Sequence, residues 1–507
     1  MKYRIIPIVG DSGGIHPSGT LNITSNDVTV DVTQYKYVDV NIQFTIPEVS
    51  RTSITDITYN SAVYNCTIED GNKPITDSYL EWWPENDPAD IHTIQFDAVV
   101  GSNSISMTDL PSSTRIAVRP HVTNIIGEYA LQTSYFQTED APNYFYFEDI
   151  SGSNNILTLY RTNTGGYAPT VVLEYSTDGV NWQEWQAVND VRTYTIPANG
   201  KFYLRGDNTA FGQGSNNSDV HTFSSTGNIE AHGNIMTLLD KTGQSTSFAT
   251  SGTFKRLFQN MTTLKTAPEL PATTLSNSCY DSMFKGSGIT QSPELPATNI
   301  LTSSYYQIFM NCASLTKAGK MIINSFTGTS SCREMYSGCS NLTDISDISI
   351  NETNFTNFAM RSTFENCASL TKAVSMIIAQ VGTFSFDSAY AGCTALNDIS
   401  GIRITTTTAN EGSFKLMFKG TAITESPDLS SIKTLYAATN NGSFSFMFEN
   451  CSNLNKVTVG CSTWDTNYAY RWLFGVSSTG DFYNLGGATI PTGTNGRPSG
   501  WTLHTSL

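Results

Sequence analysis

The chain has 507 residues, a formal net charge of −16 at pH 7 and only 14% charged residues. No apolar run approaches the roughly 18 residues of a membrane-spanning helix, and no basic stretch favours nucleic acid, so neither membrane insertion nor nucleic-acid binding is expected. The acidity is uneven, because residues 1–225 carry 26 acidic and 11 basic residues whereas residues 226–507 carry 18 and 17.

The length predicts several domains. The first, residues 1–46, is predicted to be a strand-rich attachment segment. Its first eight residues (MKYRIIPI) are too short and too interrupted by Pro7 for a signal peptide, so we expect no secretion through that route.

Residues 21–42 (LNITSNDVTVDVTQYKYVDVNI) alternate apolar and polar positions over two runs, which predicts a strand pair. This stretch resembles a short phrase that recurs in phage tail and structural proteins. The alternative is an ordinary edge hairpin that leads into the next domain.

Residues 47–139 are predicted to form a β-sandwich of short strands. The segments SAVYNCTI (61–68), LEWW (80–83) and SMTDLPSSTRIAVRPHVTN (106–124) resemble a fibronectin type III-like domain. That resemblance implies a spacer or a docking module.

Residues 140–226 are predicted to be a second β-sandwich-like domain with tight turns at Asp178-Gly179 and Asn199-Gly200. The segment STDGVNW (176–182) resembles a sialidase Asp-box, but it is one residue short and occurs once. We therefore interpret it as a turn followed by a tryptophan.

Residues 227–507 contain a tandem repeat, in which an aromatic residue is followed by small residues and then an aliphatic one. The aromatic positions recur every 25–30 residues, at Phe258, Phe284, Phe309, Tyr336, Phe364, Tyr390, Phe418 and Phe448. This period predicts a solenoid of eight to nine coils with short parallel strands and short helical turns, for example at residues 279–284 and 414–418. A longer rhythm of about 55 residues, seen in NCASLTK at 311–317 and again at 366–372, indicates a duplicated two-coil unit.

The phrases GNIMTLLD (233–240), LKTAPELPATTLSNSCYDSMFKG (264–286) and PSGWTL (498–503) resemble BspA-type leucine-rich repeats. These repeats are common in surface proteins of Bacteroidetes and in their phages. The predicted fold class is therefore multidomain and mainly β, with N-terminal β-sandwich modules followed by a leucine-rich-repeat solenoid and a C-terminal cap.

Five of the nine cysteines share one repeat position. The position predicts a column of buried core thiols, with a metal or disulfide ladder as the alternative; the five are Cys312, Cys339, Cys367, Cys393 and Cys451. No histidine lies in the central repeat array, residues 233–460, and no nucleophile elbow, phosphate loop or zinc-protease motif occurs, so neither an enzyme nor a cofactor is predicted.

An aromatic cluster closes the repeats, at Trp464, Tyr468, Tyr470, Trp472 and Phe474, and Trp501 follows. A solenoid needs a cover on its last coil, so we interpret this cluster as a cap. Stacking on sugar rings is the alternative.

After each repeat aliphatic, two exposed positions are expected to form a polar column along the stacked strands. One residue of each pair is a candidate binding residue, the first in the pair Lys265-Thr266 and the second in every other pair. The candidates are Lys265, Gln291, Lys317, Asp344, Lys372, Asp398, Glu425 and Lys456. The alternative is a solvated face without a ligand.

The sequence thus favours a phage virion fibre or decoration protein. Its N-terminal region would attach to other virion proteins, and its solenoid would bind a glycan or protein of the host surface. A bacterial surface adhesin located on the cell surface and a carbohydrate-active or carbohydrate-binding module are the alternatives, and a homo-oligomer is possible in each case.

Overall fold

The computed structural model of the chain describes residues 2–5, 19–23, 38–42, 44–130, 132–139, 143–162, 170–212, 220–438 and 440–507, the first three ranges by their backbone alone. The chain divides into two compact units, residues 1–142 and 143–507. Nearly all regular structure is β, with sheets in the N-terminal part and a solenoid in the C-terminal part. The predicted fold class is confirmed at this level.

The first unit begins with a three-stranded sheet formed by β1 (Lys2–Ile5), β2 (Gly19–Ile23) and β3 (Val38–Ile42). Strand β3 lies in the centre, antiparallel to β1 and parallel to β2. A strand pair is predicted in residues 21–42, and the strands at its two ends, β2 and β3, are paired in parallel. Residues 24–37 of that prediction lie outside the described residues.

Eight strands then form two facing sheets. They are β4 (Glu48–Thr55), β5 (Ala62–Glu69), β6 (Ile75–Pro84), β7 (His92–Gln95), β8 (Gly101–Met107), β9 (Arg115–Asn124), β10 (Gly127–Ala130) and β11 (Ser134–Gln137). One sheet has the order β4-β5-β8, and the other has the order β10-β9-β6-β7 with β11 also paired to β9. The two sheets pack face to face because each has an apolar side. In strand β5, for example, alternate side chains are buried and form a core with side chains of the opposite sheet.

The second unit begins with another pair of sheets. Their strands are β12 (Phe145–Asp149), β13 (Asn155–Thr162), β14 (Glu174–Ser176), β15 (Gln183–Glu184), β16 (Val191–Ile196), β17 (Lys201–Arg205), β18 (Val220–Ser225) and β19 (Ile229–His232). The small sheet has the order β16-β13-β18. The large one has the order β15-β14-β17-β12-β19-β20, in which β20 (Leu264–Thr266) already belongs to the solenoid.

The remaining solenoid strands are short and pair in parallel with the equivalent strand of a neighbouring coil. They are β21 (Asn299–Ile300), β22 (Met321–Ile323), β23 (Ser325–Phe326), β24 (Ile348–Ile350), β25 (Asn354–Phe355), β26 (Met376–Ile378), β27 (Gln380–Val381), β28 (Ile402–Ile404), β29 (Thr408–Ala409), β30 (Thr434–Leu435), β31 (Lys456–Val459), β32 (Gly480–Asn484) and β33 (Trp501–His504). The pairs β22–β24 and β26–β28, for example, stack aliphatic side chains of one coil on those of another.

The predicted helical turns at 279–284 and 414–418 are wrong. These segments belong to a continuous run of β-turns on one side of each coil, which we call the turn wall. Met283 N–H closes a turn on the Tyr280 carbonyl (3.1 Å), whereas the next N–H, of Phe284, donates to Ile308 of the following coil (2.9 Å). In an α-helix each N–H donates to the carbonyl four residues earlier in the same segment. Here every second N–H donates to the following coil instead, so the segment is not an α-helix. In the described residues, the helical segments are two 3₁₀ turns, Ile235–Leu238 and Thr466–Tyr468.

The turn wall also explains the longer sequence rhythm. The second residue after each repeat aromatic has a positive φ and is always Asn or Gly, as at Asn311 (60°) and Gly338 (78°). A Cβ on Gly338 would lie 2.1 Å from the Asn311 side-chain oxygen, and one on Gly392 would lie 2.2 Å from that of Asn366. An Asn in one coil thus requires a Gly in the next.

The eight repeat aromatics form one stacked column, as the repeat predicts. Successive ring centroids are 5.2–5.9 Å apart, and the ring planes differ by at most 19°. The solenoid has about seven turns, fewer than the eight to nine coils expected. The solenoid joins the preceding sheets at the first phrase, whose strand β20 pairs with β19.

At that junction Phe258 stacks on Phe223 at 5.7 Å and lies 6.2 Å from both Phe145 and Phe147. One hydrophobic core runs from Phe145 to Trp501. The predicted boundary near residue 226 therefore falls inside a shared core, and residues 143–226 cover the first coil.

The last coil is covered by the predicted aromatic cap. Trp472 and Trp501 are buried, and their indole N–H groups donate to the carbonyls of Gly496 (2.7 Å) and Ser477 (2.8 Å). Burial with a hydrogen-bonded N–H is what a capping tryptophan needs. The two tryptophans meet this requirement, whereas Phe474 remains 39% exposed, and the cap stays an interpretation.

The five repeat cysteines form the predicted buried column. Each thiol donates to the carbonyl of an aromatic residue in the preceding coil, as from Cys312 to Phe284 (3.0 Å) and from Cys393 to Phe364 (2.9 Å). Burial raises the pKa of Cys312 to about 11 and that of Cys393 to about 12, so these thiols remain protonated and unreactive at neutral pH.

Candidate functional site

The eight predicted binding residues lie along one face of the solenoid, and we call them the ladder. They are Lys265, Gln291, Lys317, Asp344, Lys372, Asp398, Glu425 and Lys456. Parallel backbone bridges join Gln291 to Lys317, Lys317 to Asp344, Lys372 to Asp398, and Glu425 to Lys456. Most of the ladder is thus brought together coil on coil, because parallel strands place equivalent residues side by side.

The charges of the ladder are paired between neighbouring coils. Lys372 Nζ lies 3.2 Å from Asp398, and Lys456 Nζ lies 2.9 Å from Glu425. Lys317 lies 3.0 Å from Asp347, three residues after the ladder residue Asp344, and 3.9 Å from Asp344 itself. The ladder therefore combines four lysines with three carboxylates and presents little net charge.

Two ladder residues lie outside these ion pairs. Lys265 Nζ donates to the Thr262 carbonyl at 2.9 Å in its own coil. Gln291 is exposed and is joined to Lys317 through the backbone bridge. The ladder thus begins with neutral or locally satisfied groups and becomes charge-paired further along the solenoid.

The two aspartates of the ladder are held by the motif Asp-Ile-Ser. In each copy the carboxylate accepts from the backbone N–H (3.0 Å) and the hydroxyl (2.6 Å) of the serine two residues later, Ser346 or Ser400. The Ser400 bonds, helped by Lys372, lower the pKa of Asp398 to about 2. Bonds from Ser346 likewise lower the pKa of Asp344. Both carboxylates remain ionised acceptors fixed in one orientation.

Two grooves lie beside the ladder. The first, of about 550 Å³, is lined by residues 267–271 and 293–296, which include two copies of the segment PELP and carry Glu269 and Glu294. The second, of about 310 Å³, is lined by residues 397–402 and 424–428, which include Asp398 and Glu425. The proline rings make the first groove mostly apolar, whereas carboxylates and hydroxyls line the second.

The turn wall carries another set of ion pairs that the sequence did not predict. Lys255 pairs with Asp281 at 2.9 Å, Arg361 with Asp387 at 3.2 Å, and Glu449 with both Lys419 (2.8 Å) and Arg471 (2.7 Å). The three carboxylates are 4–8% exposed. Unlike the ladder carboxylates, these three are inaccessible to a ligand, although their partners Arg361, Lys419 and Arg471 are 34–40% exposed.

The described residues contain no group of three or more histidine, cysteine or carboxylate side chains placed to hold a metal ion. Within the same residues, no helix is both long and apolar enough to cross a bilayer. In comparisons with known proteins, no protein-family model matches the chain and no curated protein matches it significantly.

Proposed function

We propose that the chain is a non-enzymatic adhesion protein whose solenoid presents the ladder face to a glycan or protein of a host-cell surface. The observation that carries the proposal is the ladder itself, an accessible row of fixed donors and acceptors repeated coil after coil. A repeated row suits a repetitive polymer, because each coil can add a few weak hydrogen bonds.

Electrostatics supports the same reading. The ladder pairs its charges internally, so it offers hydrogen bonds without a strong field. The pair side chains are 39–62% exposed, and exposed pairs of this kind contribute only about 0–1 kcal/mol to stability. Their arrangement is therefore more useful for recognition than for folding.

We further propose that the chain is part of a phage virion and that its solenoid belongs to the BspA-type leucine-rich repeats. The first proposal rests on the resemblance of residues 21–42 to phage structural proteins, and the second on the resemblance of the repeat phrases. Other virion proteins would then be the partners of the N-terminal region. A bacterial surface adhesin with the same modules is the competing assignment.

The test separates the chain at residue 142, where its two compact units meet in the sequence. A cut at 226 would be a poor choice, because it opens the core that Phe223 shares with Phe258. Residues 1–142 should enter virions, and residues 143–507 should bind host cells. Cell binding by 1–142 alone would reverse the proposed polarity, and absence of the protein from virions would favour the bacterial adhesin.

A further inference from the structure

The large sheet of the second unit carries an aromatic platform on its solvent side. Its members are Tyr144, Tyr146, Trp182, Tyr203, Arg205 and His232. Alternation in β12 and β17 buries Phe145, Phe147, Phe202 and Leu204 beneath the sheet and turns Tyr146, Tyr203 and Arg205 outward. Tyr146 is the direct cross-strand neighbour of both Tyr203 and His232.

The rings of the platform are held by one another. Tyr146 lies 4.8 Å from Tyr203 and 5.0 Å from His232, centroid to centroid. The Arg205 guanidinium lies 4.1 Å from the Trp182 ring, and its Nη1 donates to the Tyr144 hydroxyl at 3.2 Å. A partner would therefore meet rings that are already ordered and would lose little side-chain entropy on binding.

The Asp178 turn positions Trp182. Its carboxylate accepts from the Asn181 side chain (2.7 Å), the Ser176 hydroxyl (2.7 Å) and the backbone N–H groups of Val180 and Asn181. These bonds, led by that of Asn181, lower the Asp178 pKa. The Asp-box-like segment thus serves as the predicted turn before a tryptophan, and it delivers that tryptophan to the platform.

Charges on and beside the platform are compensated within it. Arg205 and Lys241 both lie 2.7 Å from Glu174, Lys201 lies 3.5 Å from Glu148, and His232 lies 3.2 Å from Glu230. Each of these four cationic side chains already has a carboxylate partner, so an anionic partner gains no free counter-charge from them. An uncharged partner finds ring carbons, tyrosine hydroxyls and the remaining N–H donors of Arg205.

The platform and the ladder lie on adjoining parts of one sheet face of the second unit. Strand β19 carries His232 and pairs in parallel with β20, the strand that contains Lys265. Both surfaces are charge-paired, and both belong to the second unit. A chain molecule lying along the ladder reaches the platform at the N-terminal end of the solenoid.

We infer that the aromatic platform is a binding subsite for a neutral polysaccharide, continuous with the ladder. The inference rests on the proposed function and adds the ligand class and its anchoring residues. Sugar C–H faces pack against ring carbons, and sugar hydroxyls exchange hydrogen bonds with Tyr144, Tyr146, Tyr203 and Arg205. Trp, Tyr and Arg are also the residues that most often dominate binding energy at interfaces.

The test is affinity electrophoresis of the full chain in gels that contain dextran, yeast mannan, arabinogalactan, polygalacturonate or heparin. At least one of the three neutral polymers should retard the protein. The variant with Trp182→Ala and Tyr203→Ala should bind it roughly thirtyfold more weakly. Tyr203→Phe keeps the ring beside Tyr146 and removes only the hydroxyl, so its loss should be smaller. Tyr436→Ala, which removes a 46% exposed tyrosine elsewhere on the solenoid, should bind like the unmodified chain.

Retardation by none of the neutral polymers, by the acidic ones alone, or equally in the platform variants would overturn the inference. Binding to host cells that protease treatment abolishes would identify a protein partner and overturn it as well. Cell binding that needs the ladder and not the platform would leave the proposed function standing without this subsite. Platform-dependent polymer binding without any cell binding would instead contradict the proposed function alone.

Discussion

The ladder and the turn wall of the solenoid both contain Lys–Asp ion pairs, but the pairs differ in exposure and in role. In the ladder, the Lys372–Asp398 pair has side chains 62% and 39% exposed. In the turn wall, the Lys255–Asp281 pair has side chains 2% and 8% exposed. Screening by water makes the first pair energetically cheap to lose, whereas loss of one partner of the second leaves a charge stranded in the interior. The two pairs therefore have different roles although their Nζ–carboxylate distances, 3.2 and 2.9 Å, are similar.

The largest loss of stability is expected when one buried carboxylate of the turn wall is removed. Asp281→Ala leaves Lys255 without a partner, so we expect a loss of about 3–5 kcal/mol in the free energy of unfolding, measured by urea denaturation. The double variant Lys255→Met with Asp281→Leu removes both charges and should recover most of that loss. An Asp281→Ala protein as stable as the unmodified chain would show that the pair is hydrated.

A second contrast lies within the turn wall, between two glycines with nearly equal φ. Gly338→Ala puts a Cβ 2.1 Å from Asn311 Oδ1, whereas a Cβ on Gly420 meets nothing within 4 Å. Left-handed strain of about 1–2 kcal/mol applies to both substitutions. Gly338→Ala should therefore lower the melting temperature clearly more than Gly420→Ala does. Equal shifts would refute the Asn–Gly packing as the origin of the two-coil rhythm.

The pH dependence of stability should differ in sign between the two faces. Burial raises the pKa of Asp387 in the turn wall, so its contribution to stability falls as pH rises above the ordinary aspartate value of about 4. The Ser400 bonds and Lys372 lower the pKa of Asp398, so its contribution is present above pH of about 4 and is lost as the pH falls towards 2.

Denaturation between pH 2 and 7 checks this pair of signs. Asp387→Asn should flatten the decline on the neutral side, and Asp398→Asn should flatten the decline on the acid side. The same slope change in both variants would contradict the assignment.

The smallest effect is expected in the ladder. Lys372→Ala and Asp398→Ala should each cost less than about 1 kcal/mol, and a double-mutant cycle should give a coupling of a few tenths of a kcal/mol. The matched cycle on Lys419 and Glu449 should give a larger coupling, because Glu449 is 5% exposed. Equal couplings would remove the distinction between the two faces.

The sequence predicts the repeating parts of this molecule well. The stacked aromatics, the cysteine column and the ladder positions follow from residues that recur at a fixed period, since each coil repeats the environment of the last. The turn wall was predicted as short helices because residues such as Ser282 and Gln307 give no hint of a positive φ. The Asn or Gly after each aromatic was the available signal.

The non-repeating parts are harder to predict. Tyr146, Trp182, Tyr203 and His232 meet because β12, the Trp182 turn, β17 and β19 lie together in one sheet, although up to 86 residues separate them in the sequence. No local pattern encodes such pairing. The buried ion pairs escaped prediction for the same reason, since Lys255 and Asp281 resemble ordinary surface charges in the sequence.

We propose that the ladder face of residues 143–507 binds a glycan or protein of the host surface. The most direct measurement is the binding of labelled full-length protein to host cells, with a variant that carries Lys317→Ala, Lys372→Ala and Lys456→Ala in the ladder. Tyr436→Ala serves as the matched surface control. We expect the ladder variant to remain folded, with an unfolding transition close to that of the unmodified chain, and to lose most of its cell binding. Full cell binding by a correctly folded ladder variant would contradict it.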